Sequence, residues 1–127
     1  MLYVADTHAL VKYLLANAPK NIGFALESCE KGEAITFIPT IVLAECFYLI
    51  SRGKIALNFK ELLERIEKNP SMLVVPFNMD ILKLFPKISL REIHDQIIVA
   101  TTKYLGAVLL SQDEEIIKSK EVPVVFD

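Results

Sequence analysis

Five short apolar runs punctuate the chain: "LYVA" (2–5), "ITFI" (35–38), "MLVV" (72–75), "AVLL" (107–110) and "VVF" (124–126). Each is continuous rather than alternating, the pattern of strands covered on both faces in a parallel sheet. Between them lie segments with helical spacing and capping or breaking residues. Thr40, directly after Pro39, is a candidate N-cap; Asn58 with Glu61, Ser89 with Glu92, and Ser111 with Glu114 fit the capping box. Gly106 stands where a helix from about Leu90 to Leu105 should end, and Pro70, Pro76 and Pro86 mark other boundaries. Strands alternating with helices predict a single domain over residues 1–127, a three-layer α/β/α sandwich on a mainly parallel five-stranded sheet. In such sheets ligands bind beyond the carboxyl ends of the strands.

At 127 residues the chain has the length of one domain with a real core. Hydrophobic residues make up 53% and mean hydropathy is positive, rich for a soluble monomer. The surplus apolar surface is expected to meet a partner or a second copy. No apolar run reaches the roughly 18 residues of a membrane span. The start, "MLYVADTHALVKYLL", is interrupted by Asp6, His8 and Lys12 and does not resemble a signal peptide, so a soluble cytoplasmic protein is expected. Cys29 and Cys46 have no ligand spacing and read as buried free thiols. A net charge of −2 leaves no global basic footprint for nucleic acid, although a bound cation can reverse the local sign at a site. Plentiful Lys, Glu and Ile with scarce Gln lean weakly towards a heat-tolerant source.

Four acids stand in informative places. Asp6 directly follows the first apolar run and precedes a helical stretch, where it can serve as an N-cap. Asp113, in "LLSQDEEI", falls in the first turn of the last helix, where the helix dipole favours an acid. Asp95 lies early in the helix of "REIHDQIIVATTKYLG". Glu45 has no such excuse. In "TIVLAECFYLI" it is one charge among nine apolar residues, in a helix that reads as buried on most sides. A carboxylate there needs a neutralising partner; Arg52, two turns on along the same face, is one candidate.

Asp6 and Asp113 should both project at the carboxyl edge of the sheet, from strands that could be neighbours. Glu45 and Asp95 sit on helices near enough to turn inward. Four carboxylates converging without a cation repel, and at least one must take up a proton. Mg2+ or Mn2+ removes the conflict, because hard cations prefer oxygen ligands. An acid-only cluster argues against zinc. Such a site suits phosphoryl chemistry and needs no nucleophilic side chain. His8 and His94 neighbour proposed ligands, but a structural or surface role is the expectation for both.

These residues resemble the PIN domain, particularly ribonuclease toxins of the VapC kind. The resemblance is carried by "VADTHALVKYLL", "IPTIVLAECFYLISRGKI", "HDQIIVATTKYLGAVLLSQDEEI" and the closing "VPVVF", and is weakest from Ala56 to Lys87. By position it implies Asp6, Glu45, Asp95 and Asp113 as catalytic metal ligands. Thr7 and Ser111 correspond to the family's small hydroxyl residues beside the first and last acids. It implies an Mg2+- or Mn2+-dependent endoribonuclease acting on RNA, homodimeric or of higher order, and inhibited by a cognate antitoxin. RNA as substrate comes from the resemblance alone. Many relatives carry Arg directly after the third acid, where this chain has Gln96. Lys12, Arg52, Lys54 and Lys103 are basic groups that could meet an RNA backbone.

Other phosphotransfer folds fit less well. A haloacid-dehalogenase-type domain needs a second acid two residues after the first, where His8 stands. A receiver domain needs an acidic pair near the first strand and a Lys after a late one. An HD-type phosphohydrolase needs more histidines than the two present. The rival from another class is a catalytically silent PIN-like module that binds RNA or protein.

Overall fold

The structure, a computed structural model, describes residues 1–127. Strands β1 (Leu2–Ala5), β2 (Ile35–Pro39), β3 (Met72–Val75), β4 (Val108–Leu110) and β5 (Val124–Val125) form one sheet in the order β3-β2-β1-β4-β5. Every neighbouring pair is parallel, so the sheet is wholly parallel. The connections carry helices α1 (Thr7–Leu14), α2 (Lys20–Glu30), α3 (Thr40–Ser51), α4 (Phe59–Glu67), α5 (Met79–Leu82), α6 (Ile93–Leu105) and α7 (Glu114–Ser119), with a 3-10 turn at Phe85–Lys87. From β1 the chain builds outward to β2 and β3, then returns to lay β4 on the other side of β1. Right-handed crossovers in opposite directions put helices on both faces of the sheet. The order reverses between β1 and β4, which opens a crevice at their carboxyl ends.

The apolar runs form this sheet because it shelters them. Val4, Ile38, Leu109 and Leu110 are fully buried, and Leu10, Leu26, Val42, Val99 and Ile116 cover them from the helices. Each such side chain stabilises the fold by about 1.5–3 kcal/mol. The expectation of two covered faces fails at β3, where Leu73 and Val74 are exposed, because β3 lies at the sheet edge. No helix is long and apolar enough to cross a membrane. Cys29 and Cys46 are free and buried.

Helix punctuation is partly as expected. Asn58 caps α4 through its side chain, and Gly106 ends α6 in the left-handed conformation at φ 60°. The other three caps move. Pro39, not Thr40, occupies the cap of α3, with no side-chain hydrogen bond. Glu92 caps α6 in place of Ser89, so that helix starts at Ile93 rather than near Leu90. Asp113 caps α7 in place of Ser111. In the last two cases an acid a few residues downstream outcompetes the serine, since its ionised oxygen makes a stronger bond to the free N–H groups of the first turn.

Helix α3 also departs from expectation. Only Val42 and Cys46 are buried, while Phe47 and Tyr48 are exposed by 52% and 54%. One stripe of the helix packs on the core. Its outer side has no layer above it, despite its apolar composition.

Candidate functional site

Asp6 leaves β1 and at once N-caps α1, its Oδ1 accepting the Ala9 N–H at 2.9 Å. Asp113 leaves the loop after β4 and caps α7, its Oδ1 accepting from Glu115 and Ile116 at 2.9 and 3.2 Å. The strands behind them are hydrogen-bonded neighbours with Ala5 opposite Leu110, and the Asp6 N–H donates to the Leu110 carbonyl. Both acids therefore stand at the reversal point of the sheet. Each caps a helix, and each still borders the crevice.

The other two acids enter from the flanks. Glu45 comes from the middle of α3, where the Thr7 hydroxyl donates to its Oε1 at 2.9 Å. Arg52 is not its partner: the guanidinium lies over the Tyr48 ring, 4.8 Å from its centroid. Asp95 is in the first turn of α6, its N–H held by Glu92 Oε2 at 3.0 Å. All four carboxylates line one cleft of about 470 Å3, together with Glu92.

Burial, and after it the crowding of acids, shows in their titration. Burial pushes the Asp6 carboxyl up, with Asp113 adding to the shift; the Ser111 hydroxyl, the Ala9 N–H and His8 offset only part of it. Asp95 is pushed up to about 6, first by burial, then by the charges of Asp113, Glu92, Glu115 and Asp6. His94 is pushed up, chiefly because Glu92 Oε1 accepts from its Nδ1 at 2.6 Å. Burial is the largest single influence on Glu92 and opposes its ionisation, but the bonds from His94 and Asp95 together outweigh it and hold this carboxyl low.

An all-oxygen donor set of this kind suits a hard divalent cation such as Mg2+ or Mn2+ and does not suit zinc. No three His, Cys, Asp or Glu side chains are drawn together as a ready-made ion-binding group. Asp6, Asp95 and Asp113 repel one another, and an ion held by these three together with Glu45 would relieve that repulsion.

The sequence profile of the PIN domain matches residues 3–121. The chain belongs to the PIN domain family. No curated protein sequence matches it, but solved structures share its fold at low identity. It is similar to VapBC2 from Rickettsia felis, a structure bound to a DNA fragment from its promoter, with a TM-score of 0.76, 17% identity and 98% of each chain covered. It is similar to a toxin-antitoxin complex from Klebsiella pneumoniae, with a TM-score of 0.67, 17% identity and coverage of 97% and 95%. It is also similar to the PIN domain endonuclease Utp24, with a TM-score of 0.57, 16% identity and coverage of 97% and 82%.

In this PIN domain all four expected acids border the cleft, and so does Thr7. Ser111 does not border it. It is fully buried beneath, where its Oγ accepts the Asp113 N–H at 3.1 Å and its hydroxyl stands beside Asp6. Gln96 also lies outside the cleft lining, its Nε2 donating to the Leu90 carbonyl at 2.8 Å and bracing the approach to α6. His8 and His94 both line the cleft, His8 exposed at its surface and His94 bonded to Glu92. Of the basic candidates, Lys103 is paired with Glu121 at 3.1 Å, Arg52 covers Tyr48, and Lys54 is exposed outside the cleft. Only Lys12 lies in the cleft wall. Sequence reading missed Glu92 and Gln112 as cleft residues. Glu92 carried a signal in "EIHD", where an acid two residues before a histidine can reach its ring nitrogen; Gln112 carried none.

Proposed function

We propose that this PIN domain is an Mg2+- or Mn2+-dependent endoribonuclease that hydrolyses RNA phosphodiester bonds, the toxin of a toxin–antitoxin pair. The observation that carries the reading is the meeting of Asp6, Glu45, Asp95 and Asp113, from four distant parts of the chain, in one cleft at the reversal point of the sheet. They are proposed as the catalytic residues and the metal ligands. A divalent ion bound by these acids lowers the pKa of a water and stabilises charge on the attacking and leaving oxygens. The protein's own part is positional. The Ala9 N–H holds Asp6, the Thr7 hydroxyl holds Glu45, and the Ser111 oxygen and the first turn of α7 hold Asp113 and its backbone. Three of the four acids are thus fixed by short bonds to groups that do not ionise, so little reorganisation is needed when substrate arrives.

RNA as the substrate rests on the resemblance to VapC-type ribonucleases alone; the likeness to an endonuclease of the same fold supports nuclease activity in general. A cognate antitoxin as partner is supported by the likeness to a toxin-antitoxin complex and to VapBC2. A homodimer or higher oligomer accords with the exposed Phe47 and Tyr48 on α3, and a cytoplasmic site of action with RNA as target. Purified protein should cut single-stranded or structured RNA with added Mg2+ or Mn2+ and stop in EDTA. Undiminished cutting by Asp6→Asn or Asp95→Asn protein would assign the activity to a contaminating nuclease. No cutting by the wild type under any divalent ion would favour a silent binding module instead.

A further inference from the structure

Five carboxylates line the cleft, and Lys12 is the one Lys or Arg among them. An ammonium so placed would be expected to pair with a neighbouring acid. It does not: Lys12 takes part in none of the ion pairs, which join Arg65 to Glu30, His94 to Glu92, Lys103 to Glu121 and Lys118 to Glu114. Its Nζ instead donates to a neutral group, the Gln112 amide oxygen, at 2.7 Å. That bond joins α1 to the loop between β4 and α7, and so spans the crevice between the two halves of the sheet. Lys12 stands six residues on from Asp6, about 9 Å along the helix axis. It shares a helical face with His8, one turn earlier, which also lines the cleft.

The arrangement suits a charge kept available. An ion pair with Asp6 or Asp113 would neutralise the ammonium and compete with any cation there. The Gln112 carbonyl positions it without cancelling it. We propose that Lys12 is the substrate-positioning residue of this cleft, exchanging the Gln112 oxygen for a non-bridging oxygen of an RNA phosphate that flanks the scissile one. The assignment rests on the ribonuclease reading and deepens it. The acids and their ion act on the bond to be cut, while Lys12 holds the neighbouring stretch of backbone.

The test compares wild type with Lys12→Met, which keeps the aliphatic stem, and with Lys12→Arg. Single-stranded RNA is cleaved in Mn2+ over a series of salt concentrations. Loss of one charge-assisted phosphate contact should raise KM roughly tenfold with kcat little changed. It should also lower the slope of log(kcat/KM) against log[salt] by about 0.7, the value of one contact on a single strand. Mn2+ affinity, measured by calorimetry without RNA, should stay within about twofold, and Lys12→Arg should restore most of KM and the slope. An unchanged KM and salt slope in Lys12→Met would overturn the assignment while leaving the ribonuclease reading intact. An equal loss in Lys54→Met, outside the cleft, would also overturn it by making the effect one of general charge. A wild type that cleaves no RNA would remove the ribonuclease reading, and this assignment with it.

Discussion

Replacing Asp95 by Asn should make the metal-free protein more stable, although it removes a proposed metal ligand. The carboxyl is pushed from 3.8 to about 6 by burial and by the charges of Asp113, Glu92, Glu115 and Asp6. Fully sheltered from water, that displacement would penalise the ionised form by about 3 kcal/mol. Asp95 is only half-buried, so solvent screens its neighbours and about 1 kcal/mol is the reasonable expectation. For a chain of 127 residues this corresponds to a rise in Tm of about 3–5 °C. Because the folded-state pKa is raised, the native chain binds more protons than the unfolded one between about pH 4 and pH 6. The penalty is therefore complete above that window and fades as pH falls through it. Melting curves of wild type and Asp95→Asn in EDTA should differ by the full amount at pH 7.5 and by almost nothing at pH 4. In saturating Mn2+ at pH 7.5 the order should reverse, since only the wild type keeps all four acids to bind the ion. No rise in EDTA at pH 7.5, or one of equal size at pH 4, would refute the burial and crowding of the ionised Asp95 as its cause.

Glu45→Gln should abolish most of the Mn2+-induced rise in Tm while leaving the metal-free fold unharmed or firmer; a metal-free loss of 3 kcal/mol or more would show that Glu45 balances a buried cation instead. Thr7→Val should leave Glu45 without its hydroxyl donor, weakening Mn2+ binding several-fold in calorimetry and costing about 1 kcal/mol of stability in urea titrations. Leu109→Ala, in the fully buried centre of β4, should cost about 2–5 kcal/mol in the same titrations. Gly106→Ala meets no steric neighbour, but its φ of +60° is strained for alanine, so a loss of about 1 kcal/mol is expected and Gly106→Asn should lose less.

The outline of the fold was legible because strands and helix ends are short-range matters. Apolar runs at 2–5 and 72–75 coincide with β1 and β3, and Asn58 and Gly106 act as read. Rules that look only a few residues ahead failed where two capping candidates competed, as at Ser89 with Glu92 and at Ser111 with Asp113. The acids were legible for the same local reason: Asp6 and Asp113 stand at strand ends, and Glu45 interrupts an apolar helix. Their alternative roles proved compatible rather than exclusive, since Asp6 and Asp113 cap helices and face the cleft together.

The chain's own order of residues determined that it alternates strand and helix, that Glu45 lacks a local excuse, and that α6 stops at Gly106. Only the tertiary structure decided that β1 and β4 lie side by side, that Thr7 rather than Arg52 meets Glu45, and that Lys12 reaches Gln112 one hundred residues away. It also decided that α3 keeps an exposed apolar side and that Ser111 lies under the cleft instead of in it. The physical reason is one of range. Propensity and capping act within a turn or two of the backbone, whereas a side chain's partner depends on which crossover brings a distant element beside it and on which face that element turns inward.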